Sequence, residues 1–381
     1  MKILFASDSF KGSLSSERIG ELLEKKKKKV FPQAETESVL AADGGEGTME
    51  AVVKEQHGSY RQIPVMDPLG KTITASYGLL PDGTAIIEMA KASGLPLVPV
   101  SLRDPKETTS YGTGQLLADA LDQGIRKIVI GIGGSATNDG GMGAMSALGV
   151  RFLDSEGKIL AGCGKHLGKV ENVDLSGLHP GVKEAAFTVM CDVENPLLGQ
   201  NGAAYTFGEQ KGAGKEDLEL LEKGMSHYAQ FIEEEMKCQT AEIKGAGAAG
   251  GLGFAFLTFL NANLRSGIET VLDMVGFDEK LQDVDLVITG EGRMDWQSSF
   301  GKVPSGIGKR CKKAHVPAAA IVGGLLKGYE GIYDTGISTV MTTINGTMDL
   351  SEAMERSEEL YLDAAYRLFR AIACGMSIQK Q

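Results

Sequence analysis

The sequence predicts an α/β protein of two domains, a parallel-sheet domain formed by both chain ends and an inserted domain with a mixed sheet. Three observations lead there. Short apolar runs near each terminus are followed by loops and helical patterns; the stretch after residue 60 alternates apolar and polar residues around a turn signal; and 381 residues exceed what one hydrophobic core usually serves.

Lys2 to Ala6 is a short apolar strand, followed by Ser and Gly and then by Ile19, Leu22 and Leu23 at helical spacing. Glu37 to Leu40 repeats the plan, with a Gly-rich loop and a helix from about Thr48 to Val53. Two such units in succession predict parallel strands joined by crossovers, the Rossmann or flavodoxin-like arrangement. Ile73, Ala75, Tyr77 and Leu79 then alternate, Pro81-Asp82-Gly83 is a turn, and Ala85 to Met89 returns, which reads as an antiparallel hairpin. Leu116 to Leu121 is helical, Lys127 to Ile130 reads as a buried strand, and Phe187 to Met190 and Asp285 to Thr289 are further β candidates. Ala318 to Val322 and Ser338 to Thr343 resume the short-strand pattern before one long helix over about Ser351 to Ala373. These elements assign residues 1–60 plus 285–381 to the parallel domain and 61–284 to the inserted one, with the active site expected in the cleft between them.

Composition narrows the function. With 42% hydrophobic and 23% charged residues the chain is neither disordered nor fibrous. A net charge of −11 makes nucleic acid a poor ligand, and the basic run Lys25 to Lys29 is expected to be a solvated helix end favoured by the helix dipole. Five cysteines, at 163, 191, 238, 311 and 374, form no C-x-x-C pair, which fits a reducing compartment without zinc or disulfides. No apolar run is long enough to span a bilayer and the start does not read as a secretion signal, so a cytoplasmic protein without membrane contact is expected. A homodimer is left open.

Glycine carries the chemistry, since 51 are present and they cluster after strands, where an open α/β sheet faces its ligand. Ser7-Asp8-Ser9-Phe10-Lys11-Gly12-Ser13 places a carboxylate and an ammonium three residues apart before a helix. Asp43-Gly44-Gly45-Glu46-Gly47-Thr48 offers two carboxylates able to hold Mg2+. Gly131 to Gly143 presents many backbone donors to an anion but lacks the Gly-Lys-Ser/Thr of a Walker A loop. Its Gly131-x-Gly133-x-x-Ala136, with Asp154 downstream, keeps a dinucleotide-binding reading in play, although Gly140, Gly141 and Gly143 interrupt the helix that should follow. Cys191-Asp192-Val193-Glu194-Asn195-Pro196-Leu197 brings a candidate general base, and Thr289-Gly290-Glu291-Gly292-Arg293-Met294-Asp295 with Lys302 supplies acids and cations. Phosphoryl transfer asks for metal and cationic clamps plus a carboxylate to receive a hydroxyl proton, and these loops contain all three. The Gly245 to Gly253 run reads equally as helix packing or as a ligand loop.

The ordered set of loops resembles the bacterial glycerate kinase family of the type acting in glycerate and glucarate catabolism. The matching pieces are Asp8 to Gly12, Ala42 to Thr48, Ile87-Glu88-Met89-Ala90 with Ala92 to Leu95, Gly133 to Gly141, Cys191 to Leu197 and Thr289 to Asp295. The resemblance implies a two-domain α/β fold, ATP and Mg2+ as co-substrates, and D-glycerate as the acceptor, with 2-phosphoglycerate favoured as product. The family pattern has a Gln-Thr pair after the last aspartate; here Asp295-Trp296-Gln297-Ser298 keeps a hydroxyl but adds a bulky indole. On this reading Asp8, Ser9, Lys11, Glu291 and Arg293 bind substrate. The ATP phosphates rest on Gly133, Gly134, Ser135, Thr137, Asn138, Asp139, Gly140 and Gly141 with Lys302. Asp192 is the base with Asp295 its rival, Lys11 and Arg293 serve catalysis, and Asp43 with Glu46 holds Mg2+. The alternatives are an NAD(P)-dependent dehydrogenase of a small hydroxy acid and a non-catalytic anion- or nucleotide-binding protein.

Overall fold

Lys2–Ser7 (β1) carries Ile3, Leu4, Phe5 and Ala6, all buried, so both faces of the strand are covered, as an interior parallel strand requires. The computed structural model describes residues 1–378. Glu35–Ser38 (β2) follows the helix Ser16–Val30, which Ser15 caps by accepting the Arg18 N–H at 3.2 Å. That helix ends on the lysine run, but Lys27 departs from the solvated role expected of it. Its side chain is buried and the ammonium donates to Ala34 O at 2.6 Å, tying the helix end to the loop before β2.

The chain then builds Ser59–Met66 (β3), Thr72–Leu79 (β4), Thr84–Glu88 (β5), Lys127–Gly131 (β6), Arg151–Leu153 (β7), Asn172–Asp174 (β8), Ala186–Met190 (β9) and Asn263–Arg265 (β10). It closes with Leu286–Met294 (β11), Ala318–Leu325 (β12) and Ile337–Thr342 (β13). Two compact units result, residues 1–43 with the chain from 267 onward, and residues 44–266. The division falls before the helix Thr48–Glu55, not at residue 60, because that helix packs on β4 and β5. It falls again at 266, not 284, because Gly267–Met274 packs on the helix Val303–Ala314.

The first unit is a parallel sheet in the order β13-β12-β11-β1-β2. Its core gathers Ile3, Phe5, Leu22 and Leu23 against Ile288, Ile321, Tyr361 and Phe369. The C-terminal helical stretch breaks at Arg356 into Leu350–Glu355 and Ser357–Ile378. The second unit has a mixed sheet in the order β10-β9-β6-β5-β4-β3, antiparallel through the predicted hairpin β4–β5 and at β3, and parallel elsewhere. β3 is an edge strand containing Pro64, a position where a missing N–H costs little. The Gly245 to Gly253 run resolves as packing: Gly250 and Gly251 take positive φ inside Ala248–Leu260, and a Cβ on Gly250 would lie 2.0 Å from Thr137 O.

Candidate functional site

In the first unit the order of strands reverses between β1 and β11, the switch point at which open α/β sheets leave a crevice beyond the strand ends. Two of the predicted loops emerge there. Asp8 N–H donates to Gly290 O at 3.0 Å, fixing the start of the first loop, and Gly12 turns it at φ +82°. Together with β12 and the segment after β13 these loops enclose a cavity of about 640 Å3. Asp8, Ser9, Lys11, Asp43, Glu291, Arg293 and Lys302 all line it, so seven of the expected site residues meet on one surface. Sequence reasoning missed the opposite wall, Ile344, Met348, Leu350, Ala353 and Met354, and the floor at Gly323 and Gly324.

The charges of the cavity are coupled. The Asp8 carboxyl is pushed up to about 6, first by burial and then by the like charge of Asp43. Glu291 is 6% exposed and its Oε1 finds no partner, so burial raises its pKa, while Lys302 Nζ stands 3.5 Å from Oε2 and opposes the shift. Asp295 is nearly buried: Oδ1 accepts the Gln297 N–H at 2.9 Å and lies 4.0 Å from Lys302 Nζ, and Arg293 Nε stands 3.9 Å from Oδ2. The Ser298 hydroxyl accepts the Asp295 N–H at 3.1 Å and lies near enough to Glu291 to oppose the rise of its pKa. Trp296 points away, 59% exposed, against Phe300. In the metal-free protein, an NMR titration is expected to place the Asp8 midpoint near 6. Asp43→Asn should move it down by removing the repelling charge; an unmoved midpoint would refute the coupling. Between about pH 4 and 6 the folded chain then holds a proton that the unfolded chain has lost, so this carboxyl makes the first unit less stable as pH rises through that window.

The remaining predicted residues lie in the second unit. Gly133 and Gly134 follow β6 and are exposed; Ser135 is nearly buried, and Thr137, Asn138 and Asp139 are wholly so. Asp139 accepts from Ser110 N and Oγ at 2.8 and 2.7 Å and from Gly141 N and Gly143 N at 3.1 and 3.2 Å, which makes it a brace for its own loop. Gly140 and Gly141 are tight against the core: added Cβ atoms would lie 2.8 Å from Tyr228 Cε1 and 2.3 Å from Ala255 Cβ. The fully buried Lys211, pushed down to about 7 by burial, donates to Thr137 O at 2.7 Å and pins the same loop. The anion cradle foreseen over Gly133 to Gly141 thus presents only Gly133 and Gly134 at its surface.

Glu46 also belongs to the second unit, exposed in the turn before Thr48–Glu55, whereas Asp43 closes the first. Near that turn sits a buried carboxylate that the residue-by-residue reading left without a role: Glu88 accepts the Met49 N–H at 2.8 Å and Lys91 bridges Glu50 and Glu88. Asp192 is exposed just after β9. Asp154 Oδ1 accepts the Glu156 and Lys158 N–H groups in a local turn, and the helix after the glycine loop begins only at Met142. The dinucleotide pattern therefore has neither its ribose acid nor its phosphate-facing helix. Among the described residues no group of three or more His, Cys, Asp or Glu side chains forms a ready metal site, and no helix is long and apolar enough to cross a membrane.

The family model of the glycerate kinase family matches residues 3–373. The chain is 44% identical over 377 residues to the glycerate 2-kinase of Escherichia coli K12, covering 99% of both proteins. It is 44% identical over 364 residues to a glycerate kinase of Halalkalibacterium halodurans, covering 95% of this chain and 96% of that one. A crystal structure from Salmonella typhimurium LT2, described as that of a glycerate kinase 2, superposes with a TM-score of 0.89 at 41% identity and 99% coverage of each chain. With a family model spanning residues 3–373 and a relative 44% identical over 99% of both chains, the chain belongs to the glycerate kinase family of phosphotransferases.

Proposed function

We propose that the chain transfers the γ-phosphoryl group of ATP to the 2-hydroxyl of D-glycerate, giving 2-phosphoglycerate and ADP in the cytoplasm. The observation that carries this reading is the gathering of Lys11, Arg293 and Lys302 with Asp8, Asp43 and Glu291 on one cavity at the strand ends. Little covalent work falls to the protein in such a transfer; positioning and charge neutralisation do most of it. Lys11 and Arg293 hold the glycerate carboxylate, with Asp8 and Ser9 beside them, and Lys302 meets the transferring phosphoryl oxygens. Glu291 Oε1, buried and without a partner, accepts a substrate hydroxyl hydrogen. Asp192 takes the proton of the attacking hydroxyl as the bond to ADP breaks. Asp295, whose oxygens already serve a turn and Lys302, positions that lysine. Gly133 and Gly134, both exposed, add backbone anion donors.

Mg2+ fits the donor set. Asp43, with Asp8 repelling it across the cavity wall, offers hard oxygen ligands, and Glu46 is a further candidate; waters and phosphate oxygens complete such a site. When bound, the ion neutralises charge on the β- and γ-phosphate oxygens. The reading is tested by incubating the protein with Mg·ATP and D-glycerate and identifying the phosphoglycerate isomer by NMR; a 3-phospho product, or none, would refute it. Asp192→Asn is expected to lower kcat by at least ~10^2-fold, the usual worth of a positioned base, with the KM for ATP little changed. Full turnover in that variant would assign the proton to another group.

A further inference from the structure

The cavity of the first unit is larger and less polar than its charged loops require. At about 640 Å3 it has the size of pockets that enclose drug-sized ligands, several times what a three-carbon acid fills. Its charged end is formed by the loops after β1 and along β11. The other end is mainly apolar, with Asp349 its one charged side chain: Ile344, Met348 and Ala353 are part-buried, while Leu350 and Met354 leave 76% and 39% of their surface exposed. The two ends share a wall, because a Cβ on Gly12, next to Lys11, would lie only 3.1 Å from Met354 Cε. At Gly324 on the floor an added Cβ would meet nothing within 4 Å, so bare backbone faces open space there. The helix bearing Leu350 and Met354 is held by Asp349, itself on the cavity lining, which accepts the Glu352 N–H at 2.9 Å, and by Arg356 pairing with Glu352 and Glu359. Apolar side chains left exposed beside a buried carboxylate with an unpartnered oxygen mark a surface completed by a ligand.

We propose that this apolar lobe receives the base and ribose of the nucleotide, with the phosphates running onto the charged end at Lys302. The inference rests on the kinase reading and adds to it the place and chemistry of nucleotide recognition. A flat aromatic base matches the lobe; a hydroxy acid does not, since it would leave Ile344, Leu350 and Met354 in water. The nucleotide is therefore selected by residues 344–354, and a phosphate chain without a base binds through the charged end alone.

Ile344→Asn and Met354→Asn, both neutral changes at solvent-accessible positions, are compared with the unaltered protein by calorimetric titration with Mg·ATP and with Mg·tripolyphosphate, alongside steady-state kinetics and thermal melting. The expected result is a loss of ATP affinity of about tenfold or more, a tripolyphosphate affinity and a KM for D-glycerate within twofold of the unaltered protein, and unchanged melting. ATP affinity within twofold in both variants would overturn the proposal. So would equal loss of ATP and tripolyphosphate, which would mean that the wall acts only by supporting the Lys11 loop. ATP binding that depends on the lobe in a protein that does not phosphorylate glycerate would sink the acceptor assignment and leave this inference standing.

Discussion

Lys302→Met is expected to lower kcat/KM by about 10^2–10^3-fold, the range lost when a preorganised group stabilising transition-state charge is removed. Lys302 is the N-cap residue of Val303–Ala314, so its ammonium sits at the positive end of a helix of 12 residues, where both favour an anion. Glu291 at 3.5 Å and Asp295 at 4.0 Å hold it without burying it, leaving 31% of the side chain open to the cavity. Loss of the ammonium has a second consequence. Glu291 keeps its burial and loses the charge that restrains its pKa, so its carboxyl should shift further upward. The acid limb of the kcat/KM profile in Lys302→Met should therefore lie at higher pH than in the unaltered protein. Lys302→Arg keeps the charge and should recover most of the loss. A coupled assay of ADP release across pH measures both effects, and turnover within threefold of normal in Lys302→Met would remove the phosphate-clamp role.

What could be read from the residues follows from which signals are local. β1, the β4–β5 hairpin, β6, β9 and β12 announce themselves through apolar runs or alternation, because burial of one or both faces is written into consecutive residues. β3 does not, since Ser59, Tyr60, Arg61 and Gln62 are the polar residues of an edge strand and its pairing partner supplies the evidence. The charged loops of the cavity were legible because acids and cations beside glycines at strand ends have few structural uses. Its apolar wall was not: Met348, Leu350 and Met354 look like the start of an amphipathic helix, and only the break at Arg356 separates them from Ser357–Ile378. The glycines from 133 to 141 show how ambiguous a glycine signal is. A run of glycines says that backbones approach something closely, not whether that something is a phosphate or Ala255 and Tyr228. Lys211 was equally hidden, because a buried lysine donating to a distant backbone carbonyl has no signature in its neighbours.

Asp139→Ala is expected to destabilise the second unit by about 3–5 kcal/mol, the cost of removing one partner from a buried charged network. The residue has no exposed surface and four donors converge on it: Ser110 N, Ser110 Oγ, Gly141 N and Gly143 N. Alanine fills part of the volume and none of the acceptor sites, so all four donors remain buried without that partner. Burial already pushes the Asp139 carboxyl upward against these bonds, and Lys211, whose ammonium is favoured by the Asp139 charge, should fall below its present value of about 7 once that charge is gone. The variant therefore buries a neutral lysine near an emptied acid site, and Asp139→Asn, which retains one acceptor oxygen, should cost less than alanine. The chain has a single tryptophan, Trp296, in the first unit, so fluorescence reports that unit while far-ultraviolet circular dichroism reports both. In urea, Asp139→Ala should bring forward a dichroism phase that leaves the tryptophan transition in place. A variant whose dichroism curve superimposes on that of the unaltered protein would show that the Gly133 to Gly143 loop is held by its glycine packing alone.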